Sequence, residues 1–149
     1  MKKLIGSDVI IAEKLIVGNS KQTIYSTGLS YLKSVIFYVK HVEIVIQPIT
    51  SEEVLQLLSY ETKIFKCGEI RFRPNLCFKD ILEKAPNLEI IHIPNTNIKA
   101  NDSWPTDLLQ LNSVDSLETV YLPIPDLNFN IKNLVDLMKV IFYLVNFEN

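Results

Sequence analysis

The sequence predicts an α/β fold, a short and irregular stack of parallel strands with helices on its outer face. Three observations predict it. A glutamate stands five residues before a proline in four runs of β-branched and aromatic residues: Val42–Pro48, Gly68–Pro74, Leu88–Pro94 and Leu117–Pro123. Most of these runs lead into a segment with helical spacing. The prolines recur at intervals of 26, 20 and 29 residues. Strand–helix units that cannot close a core alone must stack on one another. A strand joined to the next through a helix runs parallel to it.

The elements follow in order. Asp8–Val17 (DVIIAEKLIV) is β-branched and closes on the turn signal Gly18-Asn19. Thr23–Ser26 (TIYS) is a second strand candidate, which makes an N-terminal hairpin. Ser30–Tyr38 carries Leu32, Val35 and Ile36 at helical spacing and is assigned to a helix, although Phe37 and Val39 also suit a strand. The first full unit starts at His41. Its strand ends at Pro48, and Thr50 with Glu53 then forms a capping-box pattern ahead of Val54, Leu55, Leu57 and Leu58.

The second unit places a helix over Leu76–Ala85, stopped by Pro86, whose ring cannot continue the hydrogen-bond ladder. The third places one near Ser103–Leu111, with Pro105 in its first turn. In the fourth, Asn130 is an N-cap candidate, and Ile131, Leu134, Val135 and Met138 mark one face. Val140–Phe147 then reads as a terminal strand. The chain is thus one domain over 1–149, with an N-terminal cap region at 1–40. Residues 41–149 hold about four strand–helix repeats and that last strand.

Hydrophobicity sets the strand frames. Leu88, Ile91, Ile93 and Leu117, Val120, Leu122 fit an inward LxxLxL pattern. The proline alignment would turn Gln47, Arg71 and Arg73 inward in the first two units. Burying an unpaired arginine costs far more than misaligning a proline. Those frames are therefore shifted by one residue, to His41, Ile44, Ile46 and Cys67, Ile70, Phe72.

Composition narrows the function classes. With 149 residues, 48% apolar and 21% charged, the chain can bury a real core. A formal charge of −2 gives no basic field for phosphate backbones, so nucleic acid is not an expected partner. Asp8 interrupts any signal-peptide core, and no apolar run is long enough to span a bilayer. A cytoplasmic or nuclear protein is expected, with no membrane partner. Cys67 and Cys77 are read as two reduced thiols. The spacing of His41, His92 and the cysteines offers no metal motif. No nucleophile elbow or phosphate loop occurs. No catalytic residue, metal or cofactor is therefore assigned, and the chain reads as a non-enzyme.

The passages NLEIIHIPNTNI and SLETVYLPIPDL resemble leucine-rich repeats of the irregular, helix-backed kind that follow F-box motifs in ubiquitin-ligase substrate receptors. VKHVEIVIQPITSEEVLQLL is similar to the F-box-associated homology domain expanded in nematodes. The likeness runs from Val39 to the C-terminus. It implies a leucine-rich-repeat-like solenoid that recognises a protein partner, as a substrate-recognition module of an F-box-type ligase. A Skp1-type adaptor enters only if an F-box lies outside this chain, since Met1–Thr27 lacks the leucine–proline opening. Thr96 and Pro125 stand where the usual repeat has asparagine.

The expected binding surface is the row of non-core strand positions. Arg71 and Arg73 alternate on one strand, with Val45 and Gln47 on one side, His92 on the other and Tyr121 beyond. Arginine and tyrosine are favoured at binding hot spots. Trp104 is read as a plug between repeats. Two other readings are a compact α/β enzyme or small-ligand domain, and a fragment of a larger F-box/leucine-rich-repeat receptor. Helices on both sheet faces would mark the first of these; a monomeric, cooperatively folded chain would weaken the second.

Overall fold

The computed structural model describes residues 8–18, 34–45, 49–111, 116–122 and 130–145. Thr23–Ser26, Gln47, Pro123 and Pro125 lie outside them. Five strands, β1 (Val9–Val17), β2 (Ile36–Val45), β3 (Ile64–Gly68), β4 (Ile90–His92) and β5 (Thr119–Tyr121), form one sheet in chain order. Every neighbouring pair is parallel. Helices α1 (Ser51–Leu57), α2 (Phe78–Lys84), α3 (Trp104–Leu111) and α4 (Ile131–Val145) connect or follow them. The expected α/β class and parallel sheet are present.

Ladder register shows how the units align. It places Leu15, Val42, Phe65, Ile91 and Val120 side by side. The step from strand to strand is therefore 27, 23, 26 and then 29 residues. Two positions further on, Ile44 and Cys67 are buried; three positions before, Val39, Thr62 and Leu88 are buried. Seven positions beyond the aligned residue, Ile49, Phe72 and Ile98 are buried as well. The apolar members of these columns, with the helix residues Val54, Ile81, Leu82 and Leu108, form one cluster. The buried strand side chains all belong to this helix-covered side. Strand positions on the other side are half-buried or exposed.

The inward frames expected for the third and fourth units match these columns. In the first unit Ile44 is inward as expected, His41 lies on the open side, and Ile46 is outside the described residues. In the second, Cys67, Ile70 and Phe72 are all buried as expected, but β3 ends at Gly68, so the residues in register with Val39, Val42 and Ile44 are Thr62, Phe65 and Cys67. The glutamates are not equivalent either. Glu89 and Glu118 precede their strands in the same register, Glu43 lies within β2 opposite Lys66, and Glu69 follows β3. Glu69 adopts φ 59° and turns the chain away after Gly68. Local apolar alternation fixes register here, and the proline spacing only happens to resemble it.

Thr62 is the polar member of a buried column. Its Oγ1 donates to the Val39 carbonyl at 2.9 Å and accepts from the Ser59 amide at 3.1 Å, which offsets the burial of the hydroxyl. At Thr96, the place of the missing asparagine, the side chain makes only local bonds, to Ile93 O and Ile98 N. Asn97 does the bridging instead. Its Oδ1 accepts from the Phe72 amide at 2.7 Å, and its Nδ2 donates to the Phe72 carbonyl at 2.9 Å. One amide thereby satisfies both backbone groups of a buried residue in the preceding turn.

The helix signals hold at α1. Thr50 Oγ1 accepts from the Glu53 amide at 3.2 Å, and Glu53 Oε2 accepts from the Thr50 amide at 2.8 Å. Pro105 sits in the first turn of α3 and Asn130 caps α4. The inward face of α4 is different from the expected one. Leu137 is buried and Leu134 half-buried, whereas Ile131, Val135 and Met138 are exposed.

Two further expectations are overturned. Val140–Val145 is not strand but helix: α4 runs unbroken through it, because no breaker follows Met138 and propagation costs little once a helix is nucleated, and the last two residues of the expected strand lie outside the described residues. Ile36–Tyr38 is strand and not helix, because β2 finds a ladder partner in β1 along its length. The neighbour of β1 among the described residues is thus a parallel strand. Gly18 ends β1 at φ 143°, where a Cβ would lie 2.0 Å from the Val45 carbonyl oxygen. Only glycine lets the chain pass so close.

Candidate interaction surface

The open face of the sheet carries two rows of side chains. Successive strands hold alternate residues on this face at ladder spacing, so each row crosses the strands. One row reads Lys14, His41, Ile64, Ile90, Thr119, and the next reads Ile16, Glu43, Lys66, His92, Tyr121. The second row is polar at its centre and aromatic at its end. The His92 and Tyr121 rings lie 5.0 Å apart in a tilted contact. Beyond the rows, Val45 and Gly68 lie side by side at the strand ends. With Glu69, Pro94 and Asn95 they line a shallow depression.

The charges are partly organised. Lys14 Nζ lies 2.7 Å from Glu43 Oε2. The hydrogen bond from Lys14 is the main cause that holds the Glu43 carboxyl below its ordinary range, and burial works against it. His41 Nε2 is 3.6 Å from the same carboxylate, beyond hydrogen-bond reach. Burial, and then the Lys14 ammonium, push the His41 pKa down, and Glu43 only partly opposes them. The imidazole is therefore favoured neutral in the fold.

The residues expected to form one row are distributed differently. His92 and Tyr121 are neighbours, as expected. Val45 is on β2 but flanks Gly68 and not an arginine. Arg71 and Arg73 lie beyond the end of β3, where the chain alternates exposed arginines with buried Ile70 and Phe72. They do not share a ladder with His92; Lys66 occupies that place. The cause is the register set by Phe65 and Cys67, followed by the turn at Glu69. Sequence reasoning missed Lys14, His41, Glu43 and Lys66. The alternation Phe65-Lys66-Cys67 was the signal that could have found Lys66.

On the helix side, Trp104 is buried and lines a cleft of about 360 Å³ with Leu108, Val120, Leu134 and Leu137. Its position fits a plug between units. Cys67 and Cys77 are both free, and burial pushes the Cys67 thiol up to about 12. A thiol so hard to ionise is a poor nucleophile and metal ligand at neutral pH. Among the described residues, no three His, Cys, Asp or Glu side chains gather as metal ligands, and no helix is long and apolar enough to cross a membrane. No family model matches the chain, and no curated protein or solved structure matches it either.

Proposed function

We propose that the chain is a short, leucine-rich-repeat-like solenoid that binds an extended segment of a protein partner across its open sheet face, without catalysis. Sequential parallel strand order and the inward columns support the solenoid reading. The observation that carries the binding reading is the half-open row Glu43, Lys66, His92 and Tyr121 on the face opposite the helices. Such a row offers an acceptor, a cation and two rings at ladder spacing, which suits backbone and side chains of an extended peptide. In the F-box-type ligase that the repeat passages resemble, this face would hold the substrate.

The test is a peptide-display selection on the immobilised protein. Selected peptides are expected to lose binding by about ten-fold or more when Lys66, His92 and Tyr121 are all changed to alanine, as for a cluster of interface anchors. The melting temperature of that variant should stay near the wild-type value. Undiminished binding by the triple variant would remove this face from consideration. Recovery of a Skp1-type adaptor with the protein from its native cells would support the ligase role.

A further inference from the structure

The long edge of the sheet, β1, is nine residues of which all but Glu13 and Lys14 are apolar, and it pairs with β2 on one side only among the described residues. Val9, Ile11 and Ile16 are 50%, 81% and 56% exposed. A long apolar edge is a template for another strand. The composition of β1 indicates which strand fits it.

About the midpoint between Glu13 and Lys14 the strand is a chemical palindrome. Lys14-Leu15-Ile16-Val17 read forwards matches Glu13-Ala12-Ile11-Ile10 read backwards, with the charge reversed. Burial follows the same symmetry over Ile11–Ile16 and breaks only at the ends, where Ile10 is exposed and its counterpart Val17 is half-buried. Ala12, Leu15 and Val17 are half-buried on the helix side, while Ile11, Glu13, Lys14 and Ile16 are exposed. The inward alternation therefore slips by one residue between Ala12 and Leu15, at the palindrome's centre. This slip matters for pairing. Antiparallel pairing about a point between two residues would, in a regular strand, oppose inward with outward side chains. With the slip, Ala12 meets Leu15 inside and Ile11 meets Ile16 outside. Centring on Glu13 or Lys14 instead would oppose like charges.

We propose that β1 pairs antiparallel with β1 of a second copy of this chain, about a two-fold axis between Glu13 and Lys14. Each Glu13 then faces Lys14 of the second copy, and both helix layers lie on one side of a continuous sheet. The interface is isologous and closed. Glu13 already contacts Lys40 at 3.1 Å and Lys14 contacts Glu43, so the new pairs extend existing ones. Head-to-tail stacking of β5 on β1 is less favourable. It overlaps only the three residues of β5, and it adds Glu13 to a row that already holds Glu89 and Glu118.

Cysteine cross-linking of the full chain tests the register, with wild type as the control for Cys67 and Cys77. Ile11→Cys and Ile16→Cys proteins should form a disulfide dimer when mixed and oxidised, and neither should do so alone. Sedimentation should show a wild-type dimer that dissociates on dilution, and Ile11→Lys should be monomeric with a melt that matches that of the dilute wild type. A wild-type monomer at every concentration overturns the proposal. So does cross-linking of Ile16→Cys to Tyr121→Cys in place of Ile11→Cys, which marks the head-to-tail arrangement. None of these readouts depends on peptide binding at the open face.

Discussion

The two faces of the sheet follow different rules. On the helix side, side chains stack in columns that each turn must continue, and almost every member is apolar. On the open side, the rows mix isoleucine, lysine, glutamate, histidine, threonine and tyrosine, all half-buried or exposed. A column is a packing constraint shared by all units, whereas a row is a sequence of local choices. Substitutions should therefore divide sharply by face.

The largest effect is expected within a column. Ile91 is fully buried at the centre of the aligned set. Ile91→Ala should cost about 2–5 kcal/mol, the transfer term plus the cavity left behind. Chemical denaturation would measure it, and a loss below about 1 kcal/mol would mean that the column is not close-packed. An intermediate effect is expected at the bridge between turns. Asn97→Ala removes both bonds to the Phe72 backbone and should cost about 1–3 kcal/mol. A neutral result would show that water replaces the amide there.

The smallest change in stability is expected on the open face, where the readout is ionisation. Lys14→Met should raise the pKa of His41, because the Lys14 ammonium opposes its protonation while Glu43 favours it. It should also raise the pKa of Glu43, which loses its main hydrogen bond. The sign for stability follows from the lowered pKa values of both groups. The contribution of His41 is present above its ordinary 6.5 and is lost as pH falls through its folded value. That of Glu43 is present above 4.5 and is lost on further acidification. The chain has two histidines, so the His41 imidazole can be followed by itself in an NMR titration. An unmoved His41 would show that the Lys14 charge is screened.

This division also explains what was legible in the sequence. In the third and fourth units the LxxLxL positions are Leu88, Ile91, Ile93 and Leu117, Val120, Leu122, and their frame could be read directly. In the second unit the corresponding positions are Thr62, Phe65 and Cys67. A buried threonine does not look like a core residue until its bonds to Val39 and Ser59 are known. The proline-ended run Gly68–Pro74 drew the strand several residues too late, because Ile70 and Phe72 also alternate inward after the strand has ended. At the C-terminus, the apolar run that starts at Val140 follows Lys139 with no glycine or proline between, so nothing in the sequence distinguishes a new strand from a continuing helix. The candidate row was half legible. His92 and Tyr121 lie in correctly framed units, but Lys66 was hidden by the misplaced frame that put Arg71 and Arg73 in its stead.

The unequal register steps have a consequence for how such a chain can change. Steps of 27, 23, 26 and 29 residues all return the backbone to the same columns. From β2 onward the surplus or deficit is taken up between strands, where the chain passes through α1, α2 and α3 and their connections. After β4, Asn97 grips the preceding turn and restores the phase wherever the connection has led. Insertions and deletions of a few residues in the connections should therefore be tolerated, while the same changes inside a strand should not. The parallel ladder is thus kept in phase by contact and not by a fixed count of residues between strands.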